Sequence, residues 1–185
     1  MKLSTIVSGS LSLILVLSAT VLTVQELRAM EQDRAQLNAQ IEAEIADMQY
    51  QEQLQCMALN IYHEARSDSA LGQEAVGMVT MNRVYSDKYP DTICDVVYQS
   101  HVNSKGNPIR NKCQFSWYCD GKNDTPRDTV KFLEAKTHAE WVMSNYGKER
   151  DITGGALMYH ASYVNPYWSK SYTKTSRIES HIFYK

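Results

Sequence analysis

Glu64 is the residue whose type and setting could do chemistry. It lies in the run Cys56-Met-Ala-Leu-Asn-Ile-Tyr-His-Glu64-Ala-Arg66. Met57, Ala58, Ile61, Tyr62 and Ala65 recur at helical spacing, which predicts an amphipathic helix over Leu54 to Ser67. At about 3.6 residues per turn the carboxylate of Glu64 falls beside that apolar stripe and not on the opposite wet face. A carboxylate at the edge of a helix–helix core is costly while charged, so its pKa rises or it acquires partners. Sites that need a general acid use this setting. Spacing alone favours a plainer reading, a core-edge glutamate paired with Arg66 or Arg83. His63-Glu64 also begins like the zinc-protease pattern H-E-x-x-H, but position 67 is serine and the pattern fails.

The elements that would position Glu64 follow in order. Ser67-Asp68-Ser69 is a polar break that offers N-caps for a second helix, in which Leu71, Ala75, Met78, Val79 and Asn82 share a face. Tyr89-Pro90-Asp91-Thr92 reads as a turn, Ile93 to Tyr98 as a short apolar segment, and Ser100 to Lys112 as a polar surface loop. Gln114 to Tyr118 alternates as a short strand or extended loop. A further helix is expected from Thr125-Pro126 to about Tyr146, with Val130, Leu133, Thr137 and Trp141 inward and Gly147 ending it. After Gly154-Gly155 come short β segments at Ala156 to His160, Tyr163-Val164 and Ile178 to Tyr184. There is no internal repeat and no low-complexity stretch.

Ile-Tyr-His-Glu64-Ala-Arg, then Gly-Gln-Glu-Ala-Val and Met-Asn82-Arg83-Val, resembles the SleB-type cell wall hydrolases, the spore-cortex-lytic-enzyme-like family. The likeness continues in Cys113-Gln-Phe-Ser-Trp117, Ala156-Leu-Met-Tyr-His-Ala161, Pro166-Tyr-Trp168 and Ser180-His-Ile-Phe-Tyr184, in the family's order over roughly Cys56 to Lys185. A Gram-negative bacterial or phage member is expected. The family often has glycine before the glutamate, where this chain has His63, and Gly-Glu after Ala-Arg, where it has Ser67-Asp68. The resemblance implies an α+β, lysozyme-like (lytic transglycosylase-like) fold, peptidoglycan as substrate, and Glu64 as catalytic residue.

With two effective carboxylates such an enzyme would be a hydrolase; with one, a lytic transglycosylase that closes a 1,6-anhydro ring on MurNAc. Asp68 and Glu74 are the candidates for a second. Gln114, Phe115 and Ser116 are expected to form a groove wall, by resemblance and because amide, ring and hydroxyl suit an N-acetyl sugar. Tyr159 and His160 are the second choice for substrate contacts. Asn82 and Arg83 are expected to brace Glu64, and Trp168 to fill the core. An N-acetylmuramoyl-L-alanine amidase, a muramidase, a cysteine peptidase using Cys113 or Cys56, and a non-catalytic glycan-binding domain are the competing classes. No cofactor and no metal are expected.

The chain of 185 residues suits one domain plus an accessory segment. From Tyr50 onward 16 Lys and Arg meet 15 Asp and Glu, so no basic field supports nucleic-acid binding. Residues 25–49 carry 2 basic against 6 acidic residues, lack Pro and Gly, and read as a helical stalk. Leu27, Met30, Leu37, Ile41, Ile45 and Met48 give it a stripe, but as a heptad seam this is poor. A monomer is expected, with a weak stalk dimer as the alternative. Residues 1–24 hold Lys2 and then the uncharged run Leu3 to Val24, long enough to span a bilayer. Ten of those 22 are Ser, Thr, Gly or Ala and no clean Ala-x-Ala site follows, so an uncleaved signal anchor is favoured over a cleaved signal peptide. The catalytic domain, 50–185, would then be inner-membrane-anchored or periplasmic, in the host periplasm for a phage endolysin. Export makes disulfides the better reading of Cys56, Cys94, Cys113 and Cys119. Cys113 with Cys119, or Cys94 with either, are equally open pairings.

Overall fold

The computed structural model describes residues 4–185, with side chains from position 21 onward except position 22. The chain divides into two compact units, Met1–Met48 and Gln49–Lys185. Helix α1 runs Ser4–Ala65. In the first unit, Leu27, Met30, Leu37, Ile41, Ile45 and Met48 are all exposed. Among the described residues no helix is long and apolar enough to cross a membrane. The expected anchor, Leu3 to Val24, lies almost wholly outside the described side chains.

In the second unit the last turns of α1 form the middle of the core. Leu54, Met57, Ala58, Ile61, Tyr62 and Ala65 are buried on the face that their spacing predicts. Helix α2, Ala70–Val84, packs against them after the break at Asp68, where the backbone N–H of Asp68 donates to Ala65 O at 2.9 Å. Leu71, expected inside, is 49% exposed, because α2 turns its small residues Gly72, Ala75, Val76 and Val79 inward.

Helix α4, Thr129–Asn145, follows helix α3, Ile93–Val97. Both have side-chain N-caps: Thr92 Oγ1 accepts from Asp95 N, and Asp128 Oδ1 from Lys131 N. α4 therefore starts later than the Thr125-Pro126 signal suggests. Its buried face is also not the expected one. Ala135, Ala139 and Val142 are inside, whereas Val130 and Leu133 are 72% and 63% exposed. The cause is close approach. A Cβ on Gly77 of α2 would stand 3.1 Å from Val142 Cγ2 and 3.2 Å from Ile61 Cδ1, so α1 and α4 both press on α2 at a position that leaves little room for a side chain.

The polar stretch after α3 is a hairpin and not a loop. Strand β1, Ser100–Val102, pairs antiparallel with β2, Pro108–Cys113, around Gly106, whose φ is +79°. A 3₁₀ turn, Ser116–Cys119, follows. Two disulfides form: Cys56–Cys94 ties α1 to α3, and Cys113–Cys119 closes the segment between β2 and the end of the 3₁₀ turn. The last layer is a three-stranded antiparallel sheet in the order β3-β5-β4, with β3 Met158–Ala161, β4 Lys174–Ile178 and β5 His181–Tyr184. Phe183 and Ala156 pack on Ala75 and Val79 of α2 and seat the sheet on the helices. Tyr163 and Val164 are exposed and belong to a turn, not to a strand.

Candidate active site

Glu64 lies one position from the end of α1, where the buried stripe of that helix opens onto a cleft of about 240 Å³. The opposite walls come from Gln114 to Ser116, from Met158 and Tyr159 of β3, and from Trp168. Burial pushes the Glu64 carboxyl above the usual carboxylate range; Tyr159 and the positive charge of Arg83 oppose that rise without cancelling it.

Arg83, at the end of α2, is 3% exposed. Burial pulls its pKa down from the ordinary arginine value, and the site contains its charge in three ways. Nε donates to Leu157 O at 2.8 Å. The guanidinium lies over the rings of Phe115 and Tyr89, at 4.9 and 5.3 Å from their centroids. With the Gln114 amide oxygen turned toward it, Nη2 and Nη1 donate to that oxygen at 3.0 and 3.3 Å. Tyr159 is the third member. Its hydroxyl is buried beside Glu64, finds no well-formed hydrogen bond among the described residues, and has its pKa raised by burial first and the Glu64 charge second. It therefore stays protonated beside Glu64, as a donor available to the carboxylate.

The alternation in Gln114-Phe-Ser-Trp117 explains how one segment serves both cleft and core. Gln114 and Ser116 are exposed in the cleft wall, while Phe115 and Trp117 are buried beneath. Trp117 Nε1 donates to Asn60 Oδ1 at 3.1 Å, and Asn60 Nδ2 donates to Thr80 Oγ1 at 3.1 Å, so one fully buried asparagine joins α1, α2 and the 3₁₀ turn.

Of the expected site residues, Glu64, Gln114, Phe115, Ser116 and Tyr159 share the cleft. His160 does not line it. Its Nε2 bonds with the Tyr184 hydroxyl at 2.9 Å and its Nδ1 with Ala161 O at 2.9 Å, because the strand turns it to the face opposite Tyr159. It packs edge-on against Trp168, at 5.5 Å between centroids. Trp168, expected in the core, stands instead at the cleft wall, and Met158 is a wall residue that the sequence did not single out. Their only signal was an aromatic and a flexible apolar residue near the end of the chain.

Neither candidate for a second carboxylate lines the cleft. Asp68 accepts from Ser180 Oγ at 2.9 Å and pairs with His181 Nδ1 at 3.1 Å, fastening β5 to the α1–α2 junction. His181 is buried, which lowers its pKa, and it meets the Tyr159 ring edge-on at 5.1 Å. Glu74 pairs with His138 of α4 at 3.2 Å. Asn82 does not brace Glu64 either. Its Nδ2 donates to Asp151 Oδ2, Thr153 Oγ1 and Ala156 O, and it accepts from the Tyr146 hydroxyl at 2.7 Å, holding the loop that leads into β3.

Among the described residues the cleft holds one carboxylate, set between helices and a small antiparallel sheet of an α+β domain. Residues 67–184 match the Cell Wall Hydrolase family (Hydrolase_2), and the chain belongs to that family. The matched span begins just past Glu64. Similar curated proteins include the spore cortex-lytic enzyme of Bacillus cereus, 29% identical over 137 residues, covering 73% of this chain and 45% of that protein. That of Halalkalibacterium halodurans is 29% identical over 134 residues, covering 70% and 34%. The chain thus spans less than half the length of these relatives. Among solved structures, the catalytic domain of the germination-specific lytic transglycosylase SleB from Bacillus anthracis aligns with a TM-score of 0.55 at 29% identity, covering 73% of this chain and 95% of that one. The catalytic domain of the Bacillus cereus SleB protein gives 0.53 at 29% identity, covering 73% and 91%.

Proposed function

We propose that this chain cleaves the MurNAc–GlcNAc backbone of peptidoglycan as a lytic transglycosylase, with Glu64 as its single acid–base residue. The observation that carries the reading is that Glu64 is the one carboxylate among the described residues lining the cleft. Burial favours its protonated form, as donation to a glycosidic oxygen requires. In the first half-step the Glu64 proton passes to the bridging oxygen and the C1–O bond breaks. In the second, the C6 hydroxyl of the same muramic sugar bonds to C1 and its proton returns to Glu64, so the 1,6-anhydro ring closes without water. Arg83 and the Tyr159 hydroxyl stabilise the carboxylate that exists between the steps. Gln114, Ser116 and the Trp168 ring offer amide, hydroxyl and apolar surface to an N-acetyl sugar. A muramidase would need a second carboxylate to direct water, and Asp68 and Glu74 are engaged elsewhere.

Digestion of purified sacculi tests this. Wild type should release 1,6-anhydromuramic ends, lighter by one water than hydrolysed muropeptides. Glu64→Gln should fold, bind sacculi, and lose at least about 10²-fold in rate. Reducing ends from wild type would replace the transglycosylase with a hydrolase, freed stem peptides would favour an amidase, and an active Glu64→Gln would overturn the site.

The same reading takes residues 1–24 as a signal anchor and 25–49 as a stalk, with the catalytic unit at or beyond the outer face of the inner membrane. Both a phage endolysin and a bacterial remodelling enzyme fit it. The support is Lys2 followed by the uncharged run Leu3 to Val24, and two disulfides that suit an oxidising compartment.

A further inference from the structure

Beside the cleft lies a second, larger groove of about 550 Å³, and it uses neighbouring positions on the same two elements. Glu64 and Ser116 line the cleft; His63 and Trp117 line the groove. The groove has a ring floor. His63 stacks on Trp117 at 4.5 Å between centroids with planes 16° apart, and Tyr62 meets His63 edge-on at 5.1 Å. His63 Nε2 hydrogen-bonds with Asp124 O at 2.9 Å, which pins the segment carrying Asp124 against α1.

The rim of this groove holds charges of both signs, of which only Lys122 and Asp120 pair with each other among the described residues. Arg66 reaches only the Tyr62 carbonyl, at 3.4 Å, and the face of the Tyr62 ring. Among the described residues Arg127 makes no hydrogen bond and no ion pair, and the carboxylate of Asp124 makes neither, although it is half-buried. Lys122 and Asp120 pair with each other at 3.1 Å, and Asp128 caps α4, so those groups are already satisfied. Arg127 thus has no partner among the described residues, Arg66 has no carboxylate, and the Asp124 carboxylate has only the electrostatic influence of His63. They complement a ligand that carries carboxylates and an amine together. An uncharged glycan would leave all three unmet, and a purely anionic ligand would be repelled by Asp124.

We propose that this groove binds the stem peptide of peptidoglycan, a short peptide with free carboxylates and a side-chain amine, while the glycan lies in the cleft. The proposal rests on the glycan-cleaving reading, because the peptide hangs from the muramic sugar and would emerge next to the reacting bond. Arg66 and Arg127 take carboxylates and Asp124 takes the amine. The rings hold the peptide's methyl and methylene groups.

Calorimetric titration of the full chain with L-Ala-γ-D-Glu-L-Lys-D-Ala, and with two capped versions, tests it. One version has its carboxyls amidated and the other its lysine amine acetylated. The free peptide should bind, and either cap should weaken binding at least about tenfold, the scale of one charge-assisted hydrogen bond. Arg127→Gln and Asp124→Asn should do the same, and Glu64→Gln should bind as wild type does. Equal binding of free and capped peptides, or no binding of any, overturns the proposal. Cleavage of peptide-bearing and peptide-stripped glycan strands separates the two readings. If stripped strands are cut as fast as intact ones and Arg127→Gln changes neither, the groove proposal falls and the glycan reading stands. If the charged peptide binds and neither strand is cut, the glycan reading falls and the groove is supported.

Discussion

At the scale of the residue, Glu64 works against the fold that holds it. Its pKa is raised in the folded chain, with burial the largest cause, so the folded state favours the protonated form. Such a group imposes no penalty below the unfolded-state value near 4.5, and its penalty grows as pH rises through the folded value. Glu64→Gln, which stays neutral at every pH, should therefore unfold at the same temperature as wild type at about pH 4 and at a higher one at pH 8. Melting curves of both proteins across that range measure the difference. A gap that is constant with pH, or that favours wild type at pH 8, would mean that Arg83 and Tyr159 outweigh desolvation. Wild-type activity should fall with rising pH as well, as the general acid loses its proton. Stability that rises on removal of a charged group, together with loss of rate, is the mark of a site built for chemistry.

At the scale of the element, the joint that fixes the cleft is Asn60. It is fully buried, and it satisfies the Trp117 indole N–H and the Thr80 hydroxyl at once. Asn60→Ala leaves a buried N–H without a partner and should cost about 2–3 kcal/mol in urea unfolding, with activity falling further because Ser116 rides on the turn that Trp117 anchors. A cost under about 0.5 kcal/mol would show that water takes over the asparagine's role. The sequence made some of this joint legible and hid the rest. The buried face of α1 could be read because Met57, Ile61 and Tyr62 are large and regularly spaced. The buried face of α4 could not, because it is marked by Ala135 and Ala139, whose hydrophobic signal is weaker than that of the exposed Leu133 and Trp141. The β1–β2 hairpin read as a loop because both strands are largely exposed and polar, so no alternation marks them. Gln114, Phe115 and Ser116 were legible through family likeness. Trp168 and the divided duties of Asn82 and Arg83 depend on which strand face meets which helix, and one-dimensional spacing does not encode that.

At the scale of the whole molecule, the two units differ in what they contribute. Every buried hydrophobic residue among those described lies at position 54 or later, and both disulfides and the whole cleft belong to Gln49–Lys185. A domain folds alone when its core is complete within its own boundaries. A chain beginning at Gln49 should therefore fold with both disulfides formed. It should melt within about 4 °C of the full chain, the shift that less than roughly 1 kcal/mol produces at this size. It should also cut soluble glycan strands at an unchanged rate. What residues 1–48 would supply is location. The full chain should sediment with membranes after cell fractionation, and the truncated chain should not, because the uncharged run Leu3 to Val24 is gone. Insoluble sacculi sharpen the contrast, since an enzyme held at the membrane searches only the wall within reach of its stalk, whereas the released domain is free of that limit. Equal sedimentation of both chains would remove the anchor from the account. A truncated chain that melts far lower would show that α1 stabilises the catalytic unit from beyond residue 48.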